Sequence, residues 1–224
     1  MSVRSFVDLR AVAARAGDSA DLLAGDILPQ PAGPVTIAAA RLAGGGQIAA
    51  MPDDRFVIVL SGTLRVDGET VTAPRSIVLP AGVPVTWNAA PDTLIVTMAC
   101  TSGPAGAARP VPIDPDAPLE PSGAPLADLL VGETPSCRNH TDYRSANGEF
   151  VCGTWDSTPY HRRAMRYPHY ELMHLLDGAV TFTDETGRTA TFRAGDVFLV
   201  EQGAECAWLS TVHVKKVYAI YRPA

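Results

Sequence analysis

Apolar residues in this chain fall in short runs, each closed by a glycine or proline turn. Phe56, Val57, Ile58, Val59 and Leu60 form an unbroken run of strand length that ends at Gly62. Thr63, Leu64, Arg65 and Val66 then alternate and turn at Asp67-Gly68, a two-residue hairpin signal. Later, residues 179–183 alternate before a turn at 184–187, residues 77–79 and 197–200 are short buried strands, and residues 212–221 close the chain as a strand. Helical period is weak: one or two turns within residues 8–24 and another around 126–131. Short strands with turns every 8 to 12 residues predict an all-β chain of antiparallel sandwiches or barrels.

The pattern is written twice. Ala20-Asp21-Leu22-Leu23-Ala24-Gly25-Asp26 returns as Ala127-Asp128-Leu129-Leu130-Val131-Gly132-Glu133. The run ending at Gly62 returns in the run ending at Gly178. Pro80-Ala81-Gly82 with Trp87 returns as Glu201-Gln202-Gly203 with Trp208. The offset grows from 107 to 116 to 121, so the copies keep their order and differ by insertions. A period near a hundred residues is a small domain rather than a solenoid unit. Residues 102–125 hold seven prolines, which predicts an extended connector rather than a strand or helix. The expected division is therefore 1–101, a connector over 102–125, and 126–224.

Composition narrows the partners. A net charge of −6 argues against nucleic acid or an anionic membrane, and no stretch is apolar enough to span a bilayer. The first residues lack the apolar run of a signal peptide, which predicts a cytoplasmic protein. Cys100, Cys137, Cys152 and Cys206 are too scattered for a disulfide framework or a zinc finger. Sixteen arginines against two lysines suggest a GC-rich bacterial coding bias.

The second copy resembles a known family. Gly153-Thr154-Trp155-Asp156-Ser157-Thr158-Pro159, then Tyr170-Glu171, Gly178, Gly195-Asp196, Gly203, Trp208 and Lys215-Lys216-Val217-Tyr218, resemble the ureidoglycine aminohydrolase-like cupins. The first copy matches through Gly62, Pro80-Ala81-Gly82 and Trp87. The resemblance implies a bicupin, two double-stranded β-helix jelly rolls of the RmlC-like type, with Gly62, Gly82, Trp87, Trp155, Gly178, Gly195, Asp196, Gly203 and Trp208 structural. It also implies where a metal would be held: Glu171 matches the glutamate ligand, the H-x-H histidines fall among Ala164, Met165, Arg166 and Tyr167, and Cys206 stands for the last histidine. In the first copy Arg55 and Val85 take the glutamate and last-histidine positions, and all five histidines lie after residue 139, which implies that this copy holds no metal.

Candidate chemistry therefore lies in the second copy. Period two along 169–175 places His169, Glu171, Met173 and Leu175 inward and His174 on the opposite face, as a packed or interface histidine. Two readings of His161, His169, Glu171 and Cys206 stand side by side: a rearranged site for Zn, Fe, Ni or Mn, or a hydrogen-bonded His169–Glu171 pair in a polar barrel mouth with no cofactor. Cys206 is a nucleophile or a small buried residue. Trp155 packs in the core or walls the pocket. In Arg162-Arg163, Arg163 points inward toward an anionic substrate or is solvated. The candidate ligand-binding set is thus His161, Arg163, His169, Glu171, Met173 and Cys206. The expected function is binding of a small polar or anionic metabolite in the C-terminal barrel, with an enzyme of amine, amide or ureide metabolism as its catalytic form. The alternative is a non-catalytic sensor or assembly protein. The two barrels are expected to pack as an intrachain pseudo-dimer, with a homodimer a further option.

Overall fold

Hairpins and meanders, not helices, carry the chain. The computed structural model describes residues 3–29, 33–101 and 105–224, and among them the elements are strands apart from an α-helix at Leu9–Ala13 and a single 3-10 turn at Ala127–Leu129. The helix presents Leu9 and Ala13, four apart, as its buried side. Among the described residues no helix is long and apolar enough to cross a membrane.

Two compact units form, and they are interleaved. One consists of Leu9–Ile113 with Asp142–Cys152 and the terminal Ala224; the other of Met1–Asp8, Asp114–Thr141 and Gly153–Pro223. The expected contiguous halves are thus exchanged at two places: the first eight residues join the later unit, and the end of the hairpin between Cys137–Arg144 and Phe150–Ser157 joins the earlier one. Backbone pairing explains the first exchange, because Val7 and Asp8 add an antiparallel edge to Val197–Val200 through Leu199 and Phe198.

The earlier unit is built on a nine-stranded sheet. Its long strands Val35–Ile48 and Val85–Cys100 pair along their whole length, with an irregularity between Leu42 and Gly44 that lets the sheet bend. One end of Val85–Cys100 pairs with Asp54–Ser61 and the other with Thr63–Val66, which closes the sheet around Val57, Val59, Leu64, Val66, Ile77, Leu79, Trp87 and Ile95. The Asp67-Gly68 hairpin forms as expected, both residues at positive φ (46° and 90°). In the later unit a sheet containing Tyr170–Asp177, Val197–Val200 and Val214–Tyr221 faces one containing Tyr160–Arg166, Ala179–Asp184 and Glu205–Ser210. Between them lie Met173, Leu175, Phe182, Phe192, Phe198, Val200, Cys206 and Trp208.

The connector is more structured than its prolines suggested. Val111–Pro112 pairs with Ile77 and Val78, and Glu120–Ser122 pairs with residues 137–139, so short strands form where none was expected. Both sit at the edge of their sheets, the one place where a proline's missing N–H costs the ladder nothing. Residues 102–104 of the connector, Pro104 included, lie outside the described residues.

Register makes the repeat explicit. Arg55 lies opposite Leu79 and Ala99 as Glu171 lies opposite Val200 and Ile220. Val59 faces Ile95 just before a bulge, as Leu175 faces Lys216 just before a bulge. Gly62 and Gly178 share a φ near 78° and 79°, and Gly82 and Gly203 are likewise left-handed. Trp87 and Trp208 are each buried in the core of their own unit.

The earlier unit buries one carboxyl whose titration should be visible. Asp54 Oδ1 accepts from the Tyr143 hydroxyl (2.7 Å) and the Ala81 N–H (2.8 Å), but its Oδ2 is buried without a partner. Burial raises its pKa against those two hydrogen bonds, and Asp53 adds repulsion in the same direction. A carboxyl with a raised folded pKa favours the fold fully below its unfolded pKa, and that contribution is lost as pH rises through the folded value. Asp54→Asn keeps the Oδ1 acceptor, so at pH 7 it should melt a few degrees above the parent, with the gain disappearing toward pH 4. Melting curves across that range decide it; a variant less stable at pH 7 would contradict the assignment.

Candidate functional site

The later unit carries polar side chains into its core from four strands. Tyr170–Asp177 contributes Glu171 and Met173, with His169 just before it; period two sends all three inward, where Met173 and Leu175 join the core. Val214–Tyr221 runs antiparallel beside it and brings Lys216 to the same face, because Lys216 pairs with the inward Leu175. Tyr160–Arg166 supplies Tyr160 and Arg162, and Glu205–Ser210 supplies Cys206 and Trp208.

At the centre is an ion pair. Lys216 Nζ donates to Glu171 Oε1 at 2.7 Å and lies 3.3 Å from the Met173 sulfur. The ammonium is also 4.7 Å from the centroid of the Trp155 ring and 5.2 Å from that of Trp208, both within cation–π range. Lys216 and Glu171 are each only 6% exposed, so this is an interior charge pair rather than a surface one. Burial opposes ionisation of Glu171, but Lys216 and the His169 hydrogen bond outweigh it and hold the carboxyl well below the usual carboxylate range.

His169 extends the chain of contacts outward. Its Nε2 is 3.3 Å from Glu171 Oε2 and its Nδ1 is 3.3 Å from Arg222 Nη2. A guanidinium only donates, so Nδ1 accepts and Nε2 carries the proton that Glu171 receives. That assigns a neutral Nε2–H imidazole, edge-on to the Tyr167 ring.

A second cation is buried close by. Arg162 is 7% exposed; its Nη2 donates to the Tyr167 hydroxyl (3.2 Å) and to the Cys206 carbonyl (3.1 Å), while its Nε is buried without a partner. Burial pushes the Tyr167 phenol above its ordinary pKa although Arg162 opposes this, so the hydroxyl is neutral and does not balance the guanidinium. Tyr160 stacks on Trp208 (5.5 Å, 9°), and Trp155 meets Trp208 edge-on at 6.0 Å. Trp155 and Tyr160 are only partly buried, whereas Trp208 between them lies in the core.

Several expected residues lie elsewhere. Alternation along Tyr160–Arg166 turns Tyr160 and Arg162 inward, so the inward arginine is Arg162 and not Arg163. Arg163 is exposed and donates to the Asp128 carbonyl. His161 shares the outer parity, half-buried opposite Leu209 and Val131, and does not join His169 and Glu171. His174 is on the face opposite Glu171, as expected, and is buried there. Lys216 and Arg162 were missed as site residues. The signal for Lys216 was its shared parity with Val214 and Tyr218 on a strand beside a buried glutamate.

The residues at the cupin ligand positions do not fit a metal. Glu171 already holds an ammonium at hydrogen-bond distance, and the Tyr167 phenol is bonded to Arg162. Burial pushes the Cys206 thiol up to about 12 against the pull of Arg162, so near neutral pH it is a protonated, buried thiol. Among the described residues no group of three or more His, Cys, Asp or Glu side chains is placed to hold a metal ion, so His161, His169, Glu171 and Cys206 do not make one site.

Comparison with known proteins agrees with this architecture. Residues 144–218 match the family model described as the EutQ-like cupin domain. A solved structure of a protein of unknown function of the DUF861 family, from Pseudomonas syringae pv. tomato, is 27% identical over 91% of this chain and 89% of that chain, with a TM-score of 0.83. A cupin 2 conserved barrel domain protein from Leptotrichia buccalis is 12% identical over 99% and 98% of the two chains, TM-score 0.58. The Ylba protein of E. coli, also of the DUF861 family, is 14% identical over 88% and 83%, TM-score 0.54. No curated protein sequence matches. The fold is that of the cupin superfamily.

Proposed function

We propose that the chain is a bicupin whose C-terminal barrel binds a small anionic metabolite, and that Arg162 anchors it. One observation carries this reading: a buried guanidinium whose partners are a neutral phenol and a backbone carbonyl, and whose Nε has no acceptor. A buried charge left in that state is costly, and a carboxylate or phosphate oxygen is the group that a guanidinium fork accommodates best. The charges around it point the same way. Glu171 is matched by Lys216, whereas Arg162 is bonded to no carboxylate among the described residues, and Arg222 lies beside His169. Trp155, Tyr160 and Trp208 supply flat apolar walls for a ligand body.

The equivalent interior of the first barrel supports assigning the ligand to the second. There Val57, Val59 and Ile95 fill the space with hydrocarbon, and Arg55 turns to Asp53 in a bidentate pair at 3.1 Å for each contact. The alternative, that both barrels serve only as scaffolding for sensing or assembly, is favoured by no feature of the second barrel.

Thermal shift and calorimetry against small mono- and dicarboxylates, inorganic phosphate, neutral amides and amines test the reading. An anion should raise the melting temperature of the wild-type chain by stabilising the folded state it binds, and Arg162→Gln should abolish that shift while retaining the wild-type circular dichroism. A panel in which only amides or amines bind, or an anion shift that survives in Arg162→Gln, would overturn it.

A further inference from the structure

We propose that Lys216 is the resident cation of the C-terminal barrel: its ammonium stands where a cupin metal ion would stand, and the barrel has become metal-independent while keeping the carboxylate that would hold an ion. This inference rests on Lys216, independently of the ligand reading built on Arg162.

The surroundings of Lys216 are those of a captured ion. A carboxylate oxygen at 2.7 Å, a thioether sulfur at 3.3 Å and two indole faces at 4.7 and 5.2 Å enclose the ammonium in a site 6% exposed to solvent. The carboxylate comes from Glu171, at the glutamate-ligand position. A divalent ion within bonding reach of Glu171 Oε1 would overlap the ammonium or be repelled by it at close range in a poorly screened interior. One of the two must be absent, and the lysine is tethered.

The other copy of the domain provides the comparison. At the matching register positions, Glu171 becomes Arg55, Met173 becomes Val57 and Lys216 becomes Ile95. Where the carboxylate is gone the lysine is gone too, and Arg55 has turned aside to Asp53. The two charges are therefore present together in one barrel and absent together in the other, as expected of mutual counter-ions and not of a lysine placed for another purpose.

If the ammonium holds the place of an ion, exchanging it for a ligand should reopen that place. Lys216→His presents an imidazole beside Glu171 and His169 and removes the competing charge. The full-length chain, wild type and variant, is purified without a histidine tag and titrated with Co(II), with the visible d–d absorption and equilibrium dialysis as readouts. Wild type should contain no stoichiometric metal by elemental analysis, and its melting should be unchanged by chelator. Lys216→His should bind one Co(II) at least about 10-fold more tightly than wild type, since three N/O donors replace one blocked carboxylate. Adding Glu171→Gln should remove that gain. Lys216→Met, which fills the space without charge or a strong donor, controls for the fold and should bind no better than wild type. Stoichiometric metal in the wild-type chain that depends on Glu171 would overturn the proposal. So would a Lys216→His protein with wild-type circular dichroism whose Co(II) affinity is unchanged; if that variant does not fold, the wild-type metal content and its response to Glu171→Gln decide alone.

Discussion

Glu171→Leu should destabilise the protein more than any other single change at the site, because it leaves the Lys216 ammonium buried without its counter-charge. Breaking one side of a buried pair costs about 3–5 kcal/mol, which for a chain of this size lowers the melting temperature by roughly 10 °C or more. Removing both charges together tells the rest of the story. Glu171→Leu with Lys216→Met should recover most of the loss, since apolar side chains of similar volume commonly replace a buried pair at little cost. The first barrel already fills the matching space with Val57 and Ile95. Acid should act on the wild type in the same sense. Burial disfavours the Glu171 charge, yet Lys216 and His169 hold its folded pKa well below the usual carboxylate range. Such a group stabilises the fold above its unfolded pKa and loses that contribution as pH falls through the folded one, so wild type should approach Glu171→Leu in strong acid while the double variant changes less. Urea melts of the three chains from pH 2 to pH 7 measure this; equal stability of Glu171→Leu and wild type at pH 7 would refute it.

Gly178→Ala should be the other severe change. Gly178 sits at φ 79°, and a Cβ there would lie 2.0 Å from the His213 carbonyl oxygen and 3.2 Å from the Val214 Cα. Both obstacles are backbone and cannot rotate away. Gly187, at φ 81° with open space around it, is the internal control. Alanine at Gly187 bears only the left-handed backbone penalty of about 1–2 kcal/mol, whereas alanine at Gly178 adds the displacement of a strand and should cost above ~3 kcal/mol. Equal urea midpoints for the two variants would show that the close approach at Gly178 relaxes freely.

The fold was legible because its determinants are local. Hairpin and turn positions such as Asp67-Gly68, Gly62 and Gly178 announce a left-handed backbone, and period two announces which face of a strand is buried. His169, Glu171 and Met173 were placed correctly on that ground. Arg162 and Lys216 escaped because each is half of a doublet, Arg162-Arg163 and Lys215-Lys216, in which one member faces in and the other out. Only the register against a neighbouring strand separates them: Lys216 opposite Leu175, and Arg162 opposite Trp208. Charged residues in such doublets look like solvated faces until the partner charge is known, and the partner lies 45 residues away. The same limit hid the strands of the proline-rich segment, whose pairing depends on which edge it meets.

The interleaving of the units has a consequence for how the chain is made. Arg4 and the strand at Val7–Asp8 leave the ribosome well before their partners, the buried Glu201 and Val197–Val200, have been synthesised. The earlier segment must therefore stay uncommitted until residues 197–201 have been made. Closing a link of that sequence span is slow and comes late. Translation products that stop short of residue 197 would carry an unpaired leading strand, an exposed edge of the kind that chaperones and proteases inspect.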